Sequence, residues 1–252
     1  MTDPLTLDRD GGERLAYRKR LGAGPGVLWL GGFRSDMDGL KAQSLDAWAG
    51  RTGRACLRFD YFGHGKSSGD FVKGTISRWR DDALAVVDKL TEGPQILVGS
   101  SMGGWIAMLV ARARPDRVAG LVLIAPAVDF TEVLMWQRMP TDVQRAILET
   151  GVWLRETAYE GEAAHPITRA LIEDGRSNLV LGETAAVSCP VRILQGMADP
   201  DVPWTHAMKL VDAIAGDVTI TLVKNGDHRM SAPSGIKLLE RTLDGLVEDL
   251  GS

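Results

Sequence analysis

Short apolar runs recur along the chain, each followed by a turn and then by a helical pattern. Val27–Leu30, Ala55–Phe59, Ile96–Val98, Leu121–Ile124 and Val191–Leu194 are mostly aliphatic or β-branched, the pattern of parallel strands buried on both faces. Val218–Val223 alternates Val-Thr-Ile-Thr-Leu-Val and reads as a strand near the sheet edge. Helical periodicity covers about 38–51, 77–90, 103–113, 205–214 and 234–250. In the last of these, Ile236, Leu239, Leu243, Leu246 and Leu250 recur at steps of three and four, an apolar stripe that faces a core. Strands alternating with helices predict an α/β fold with a mostly parallel central sheet flanked by helices.

One stretch breaks the rhythm. About sixty residues separate the strand ending near Ala125 from the one starting at Val191, and they carry Met135, Trp136, Met139, Val152, Trp153, Leu154 and Tyr159. A structureless loop of that length does not suit a compact chain, so the stretch is predicted to hold its own helices. It reads as a lid over residues 128–186, inserted into a core made of 1–127 and 187–252. Trp136, Met139 and Trp153 are its candidate substrate-binding side chains, because flexible and aromatic groups suit an apolar acyl chain. The other reading is a packed subdomain without a role at the site.

Composition narrows the classes. The chain has 29 Lys plus Arg against 33 Asp plus Glu, a net charge of −4, which argues against a nucleic-acid partner. Two cysteines, Cys56 and Cys189, make neither a disulfide framework nor a zinc cluster and suit a reducing compartment. His64, His165, His206 and His228 are scattered, with no H-E-x-x-H pattern, so no metal site is expected. No run approaches about 18 apolar residues, so no membrane span is expected. The N-terminus shows no apolar stretch after its first charges. Its Asp3, Asp8, Asp10 and Glu13 do not suit an organelle transit peptide, so the expected location is cytoplasmic. Arg18-Lys19-Arg20 reads as the wet face of an edge strand.

The chemistry concentrates at Gly99-Ser100-Ser101-Met102-Gly103. This is G-x-S-x-G, and an apolar strand runs into it while a helix rich in Ile106, Ala107, Met108 and Leu109 runs out. That strand-turn-helix setting is what a nucleophile elbow requires. The turn is sharp, so small residues must flank the serine, and Gly99, Gly103 and Gly104 supply them. Ser101 is the candidate nucleophile. Taking Ser100 instead would put Val98 and Met102 at the glycine positions.

A serine hydroxyl needs a base, and on this pattern the partners follow in the order Ser, Asp or Glu, His. His228 is the only histidine beyond the last strand and is the candidate base. Asp199, just past the preceding strand and its glycine turn, is the candidate acid, with Asp201 as competitor and Asp227 as a turn residue. Two backbone N–H groups would hold the oxyanion of a tetrahedral intermediate: Met102, directly after the nucleophile, and Phe33, after the early strand. In Asp60-Tyr61-Phe62-Gly63-His64-Gly65-Lys66-Ser67-Ser68-Gly69, the Gly-Lys-Ser triplet lacks the leading glycine of a phosphate loop, since Asp60 stands there. His64 is read as a turn residue near the site rather than the base.

These segments together resemble the α/β-hydrolase domain-containing serine hydrolases. The resemblance runs from about Gly31 to the C-terminus and is carried by Arg58-Phe59-Asp60-Tyr61, Gly93 through Trp105, Gly151-Val152-Trp153, Cys189-Pro190, Val202-Pro203-Trp204 and Asp227-His228-Arg229-Met230. It implies the same nucleophile, acid and base at Ser101, Asp199 and His228. It further implies hydrolysis of acyl thioesters, as in palmitoyl-protein thioesterases, and of acyl-glucuronide esters. Mitochondrial members of that branch carry a targeting extension that is not read here. The expectation is a serine esterase or thioesterase forming an acyl-enzyme, acting on a small-molecule or acylated-protein substrate without metal or organic cofactor. A general carboxylesterase or a perhydrolase on the same triad is the enzymatic alternative, and a non-catalytic small-molecule receptor the alternative from another class.

Overall fold

The computed structural model describes residues 3–155, 164–182 and 187–251. Chain order begins with β1 (Leu5–Asp8), β2 (Arg14–Arg20), β3 (Ala23–Leu30), α1 (Leu40–Thr52), β4 (Arg54–Phe59) and α2 (Ile76–Leu90). It continues through β5 (Gln95–Ser100), α3 (Met102–Ala113) and β6 (Val118–Ile124). An inserted segment carries α4 (Thr141–Thr150), β7 (Val152–Arg155), β8 (His165–Thr168) and α5 (Arg169–Arg176). Then follow β9 (Val191–Gly196), α6 (Trp204–Ala213), β10 (Val218–Val223) and α7 (Pro233–Gly251).

Eight strands form one sheet in the order β1-β2-β4-β3-β5-β6-β9-β10. The six from β4 to β10 in that order run parallel, and β1 and β2 are antiparallel to their neighbours. The six strands expected from the apolar runs are these six, and the five expected helices are α1, α2, α3, α6 and α7. The runs lack polar alternation because both faces of the sheet are covered. Leu28, Leu30, Leu97, Leu121 and Leu123 point into one cluster with α2 and α3, whereas Val27, Trp29, Ile96, Val98, Val122 and Ile124 point into another with α1 and α7. Of the α7 stripe, Leu239, Leu243 and Leu246 are buried.

Two expectations need correction. The strand carrying Arg18-Lys19-Arg20 is β2, which lies inside the sheet between β1 and β4; β1 is the edge. Its cations are engaged rather than simply wet: Arg18 pairs with Asp38 at 2.9 Å and Arg20 with Asp46 at 2.9 Å. The inserted segment does hold helices, but it also holds the antiparallel pair β7–β8. Each strand has only four residues, and β7 turns Val152 and Leu154 outward, so no hydrophobic alternation toward a core marks it. Tyr159 lies outside the described residues.

The sheet's C-terminal edge gathers the functional loops. The turns after β3, β5, β9 and β10 all open at that end, as expected for a parallel sheet whose ligand site lies beyond the strand ends.

Candidate active site

Ser101 sits between β5 and α3 with φ 54° and ψ −118°, a left-handed conformation rare for a residue with a Cβ. Such strain costs roughly 1–3 kcal/mol and persists only where surroundings hold it. Here the Ser101 N–H donates to the Ile124 carbonyl at 2.9 Å, and its own carbonyl accepts from Gly104 at 2.9 Å and Ala127 at 3.1 Å. The flanking glycines are demanded by contact. A Cβ on Gly103 would collide with the Leu30 carbonyl, and one on Gly99 with the Gly103 carbonyl. Met102 is the first residue of α3, so its N–H is among those at a helix start without an intrahelical acceptor. Gly32, Phe33 and Met102 border the same cavity as Ser101.

His228 reaches Ser101 from the loop after β10. Its Nε2 lies 3.1 Å from Ser101 Oγ, and its Nδ1 lies 2.8 Å from Asp199 Oδ2. Asp199, buried in the loop after β9, is held on both oxygens. Its Oδ1 accepts from the N–H groups of Asp201 and Val202, both at 2.8 Å, and its Oδ2 also accepts from Gln195 Nε2 at 3.2 Å. The two loops are joined by Ala198 N–H donating to Gly226 O at 3.0 Å and Met197 N–H to Val223 O at 2.9 Å. Asp227 is a turn residue whose Oδ1 accepts from Met230 N–H at 2.8 Å. Asp201, the competing carboxylate, has one oxygen 4.0 Å from the Arg155 guanidinium. Ser100 is buried beside the elbow and also borders the cavity.

Asp199, Asp201 and His228 bring ligand atoms within 4.8 Å of one another. Both Asp199 oxygens already accept N–H bonds and His228 Nδ1 is spent on Asp199, so the arrangement suits proton transfer from Ser101 better than holding a cation.

The cavity has a volume of about 700 Å³, within the range of ligand pockets. Its apolar lining includes Phe33, Ala127, Phe130, Leu134, Met135 and Val202. Its polar lining includes Arg34, Lys41, Arg155 and Arg229 with Ser35, Asp36 and Ser231. Lys41 Nζ donates to the Arg229 carbonyl, and burial pushes its amine down to about 8. The expected substrate-binding side chains Trp136, Met139 and Trp153 do not line this cavity. All three pack against the main core cluster, and the Arg176 guanidinium lies 5.0 Å from the Trp136 ring centre. A π-helical turn over Thr131–Met135 rotates Leu134 and Met135 to the cavity. Such turns have no periodicity signature, so the sequence offers no sign of which apolar residue faces in. Gln195 and Lys41 also escaped sequence reasoning. Gln195 is signalled only by a polar residue ending a buried strand, and Lys41 by nothing beyond its place after the Phe33 turn.

The family profile described as serine aminopeptidase, S33, matches residues 39–171. The palmitoyl-protein thioesterase ABHD10, mitochondrial, of Homo sapiens is 37% identical over 98% of this chain and 80% of its own length. Among solved structures, alpha/beta hydrolase domain-containing protein 10 from mouse superposes with a TM-score of 0.92 at 37% identity, covering 99% of this chain and 100% of that one. A putative hydrolase from Agrobacterium vitis S4 gives a TM-score of 0.92 at 43% identity, with 98% of each chain covered. Est1E from Butyrivibrio proteoclasticus, 19% identical with a TM-score of 0.79, shares the fold. These relatives overturn the cytoplasmic expectation, since the curated ones matched over nearly the whole chain are named mitochondrial. An acidic N-terminus is no guide to compartment, because an address segment is separate from the fold. Among the described residues no helix is long and apolar enough to cross a membrane.

Proposed function

This chain belongs to the α/β-hydrolase family and is a hydrolytic enzyme, and from that premise we propose that it cleaves acyl thioesters and activated acyl esters through an acyl-enzyme on Ser101. The observation that carries this reading is the line from Ser101 Oγ to His228 Nε2 at 3.1 Å and from His228 Nδ1 to Asp199 Oδ2 at 2.8 Å, on a serine held at positive φ.

The steps follow from that line. Ser101 Oγ attacks the acyl carbonyl while His228 Nε2 takes its proton, and Asp199 holds the imidazole with Nδ1–H toward it. The carbonyl oxygen becomes an oxyanion facing the N–H groups of Met102 and Phe33. Collapse breaks the C–S or C–O bond, and His228 returns the proton to the leaving thiol or hydroxyl. Water then attacks the acyl-enzyme with the same base, releasing the acid and restoring Ser101.

The apolar wall of Phe130, Leu134 and Met135 suits the acyl chain, and the relatives named palmitoyl-protein thioesterases support a long one. The cations Arg34, Lys41, Arg155 and Arg229 suit an anionic leaving group such as the uronic acid of an acyl glucuronide. Residues 128–186 act as a lid in the sense that Phe130, Leu134, Met135, Arg155 and His165 complete the wall. The test is kcat/KM for a palmitoyl thioester, an acyl glucuronide and matched p-nitrophenyl esters, with and without peroxide. Thioester and glucuronide turnover lost in Ser101→Ala supports the reading. Activity on short p-nitrophenyl esters alone makes the enzyme a general carboxylesterase, and peroxide-dependent peracid formation makes it a perhydrolase.

A further inference from the structure

The Asp60–Gly69 turn carries a histidine that the mechanism above leaves unused. His64 is only 3% exposed, although it is polar and adjoins the active-site loop. Both ring nitrogens are engaged. Nδ1 lies 3.1 Å from the Phe62 carbonyl and therefore bears the proton, which leaves Nε2 as an acceptor. Nε2 accepts the backbone N–H of Arg34 at 3.1 Å. That N–H belongs to the peptide joining Phe33 to Arg34.

Resting on the serine-hydrolase reading, we propose that His64 is the positioning residue of the oxyanion site: its Nε2 fixes the Phe33–Arg34 peptide so that the Phe33 N–H meets the developing oxyanion.

The loop needs such a hold. Arg34 has φ 61°, a conformation that a side-chain-bearing residue keeps only under constraint. The same turn and the strand before it grip the loop further along. Asp60 Oδ1 accepts Met37 N–H at 2.7 Å, and Arg58 Nη1 donates to the Met37 carbonyl at 2.7 Å. His64 is itself rigid. Its N–H donates to Tyr61 O at 2.9 Å, its carbonyl accepts from Ser67 at 3.0 Å, and Trp79 Nε1 shares the Phe62 carbonyl at 3.1 Å. The His64 and Phe33 rings meet the same two neighbours: Phe71, at 5.0 and 4.9 Å, and Trp79, at 5.2 and 5.9 Å. The glycines on either side serve this placement. Gly63 and Gly65 both have positive φ, and a Cβ on Gly65 would strike the Asp60 carboxylate. Burial pushes the imidazole down to about 4, so the Nε2 lone pair is present throughout the neutral range. An apolar residue would fill the space without that acceptor.

Two substitutions separate the acceptor from the packing. The Asn amide stands near the place of Nδ1 and the Gln amide near that of Nε2, so His64→Asn keeps a group for Phe62 and His64→Gln keeps one for Arg34. Misplacing one oxyanion donor by about 1 Å is worth about 10²-fold. Expected is a fall of about 10² in kcat for His64→Asn with KM little changed. The affinity of a trifluoromethyl ketone, which forms a tetrahedral adduct, should weaken by a similar factor. His64→Gln should recover most of both. Thermal melts establish that each variant is folded; if His64→Asn does not fold, His64→Gln is compared with His64→Phe, which keeps a ring and removes the acceptor. Equal losses in the acceptor-bearing and acceptor-free variants, or a kcat loss with unchanged ketone affinity, overturn the proposal. Ser101→Ala is measured alongside. If it still turns over, the serine reading fails and this proposal with it; if it is inactive and the paired variants do not differ, only the role of His64 fails.

Discussion

Replacing Asp199 by Asn tests the relay with a change of only one atom type. The carboxylate accepts four N–H bonds: two on Oδ1 from Asp201 and Val202, and two on Oδ2 from His228 and Gln195. An amide cannot replace it in either orientation. With its oxygen toward Asp201 and Val202, the NH₂ faces His228 Nδ1 and forces the imidazole to carry its proton on Nε2. That proton then points at Ser101 Oγ, where a lone pair is needed. With the amide reversed, the N–H groups of Asp201 and Val202 lose their acceptor, at about 1–3 kcal/mol for the buried one on Val202. The first orientation is therefore favoured, and the fold survives while the tautomer is wrong. A wrong tautomer in such a triad costs about 10⁴ in kcat, which is about 5.5 kcal/mol of transition-state stabilisation. The assay is steady-state hydrolysis of a p-nitrophenyl ester, with a thermal melt to confirm folding. Asp201→Asn is the control and should stay within about tenfold of the parent. An Asp199→Asn enzyme within tenfold of the parent, or an Asp201→Asn enzyme that loses more, refutes the relay.

Gly103→Ala should abolish activity and lower stability by about 1–3 kcal/mol, because the new methyl collides with the Leu30 carbonyl that leads into the Phe33 loop; a melt and an ester assay check it. For acyl thioesters from two to sixteen carbons, kcat/KM should rise by up to about fourfold per methylene until the apolar wall is full, since each buried methylene contributes about 0.8 kcal/mol. Met135→Ala should flatten that rise and Trp136→Ala should not, and the reverse would return Trp136 to the wall. Burial raises Asp60, Asp82 and Asp129 each to about 6, above the unfolded value near about 3.9. The folded state thus binds more protons between about pH 4 and 6, and the stability these groups contribute is full below that window and lost as pH rises through it. Asp82→Asn, whose remaining oxygen can still accept the Phe62 N–H, should flatten the pH dependence of the unfolding free energy in that window; an unchanged slope contradicts it.

Much of this architecture is legible in the chain because long apolar runs and helical stripes are strong signals. The six parallel strands are buried on both faces, so they read as unbroken runs. The elbow is legible because its glycines are dictated by backbone contact, and Gly99 and Gly103 stand at the spacing that contact requires. What escaped has physical reasons. The edge strand β1 buries little, with Leu5 exposed, so nothing in its pattern marks it. The cavity wall depends on a π-helical turn and on β7, whose Val152 and Leu154 point outward. His64 acts through a hydrogen bond to the Arg34 N–H, far away in sequence, and Gln195 through its amide bond to the Asp199 carboxylate; neither contact leaves an apolar or glycine spacing in the chain.

The proposed acyl-enzyme on Ser101 is open to direct observation: the enzyme is acid-quenched within milliseconds of mixing with a palmitoyl thioester and its peptides are mapped by mass spectrometry. A palmitoyl ester on Ser101 is expected, absent in Ser101→Ala and accumulating when water attack is slowed in His228→Ala pre-acylated with an activated ester. Turnover with no acylated peptide, or an acyl group on Ser100 or any other residue, would contradict it.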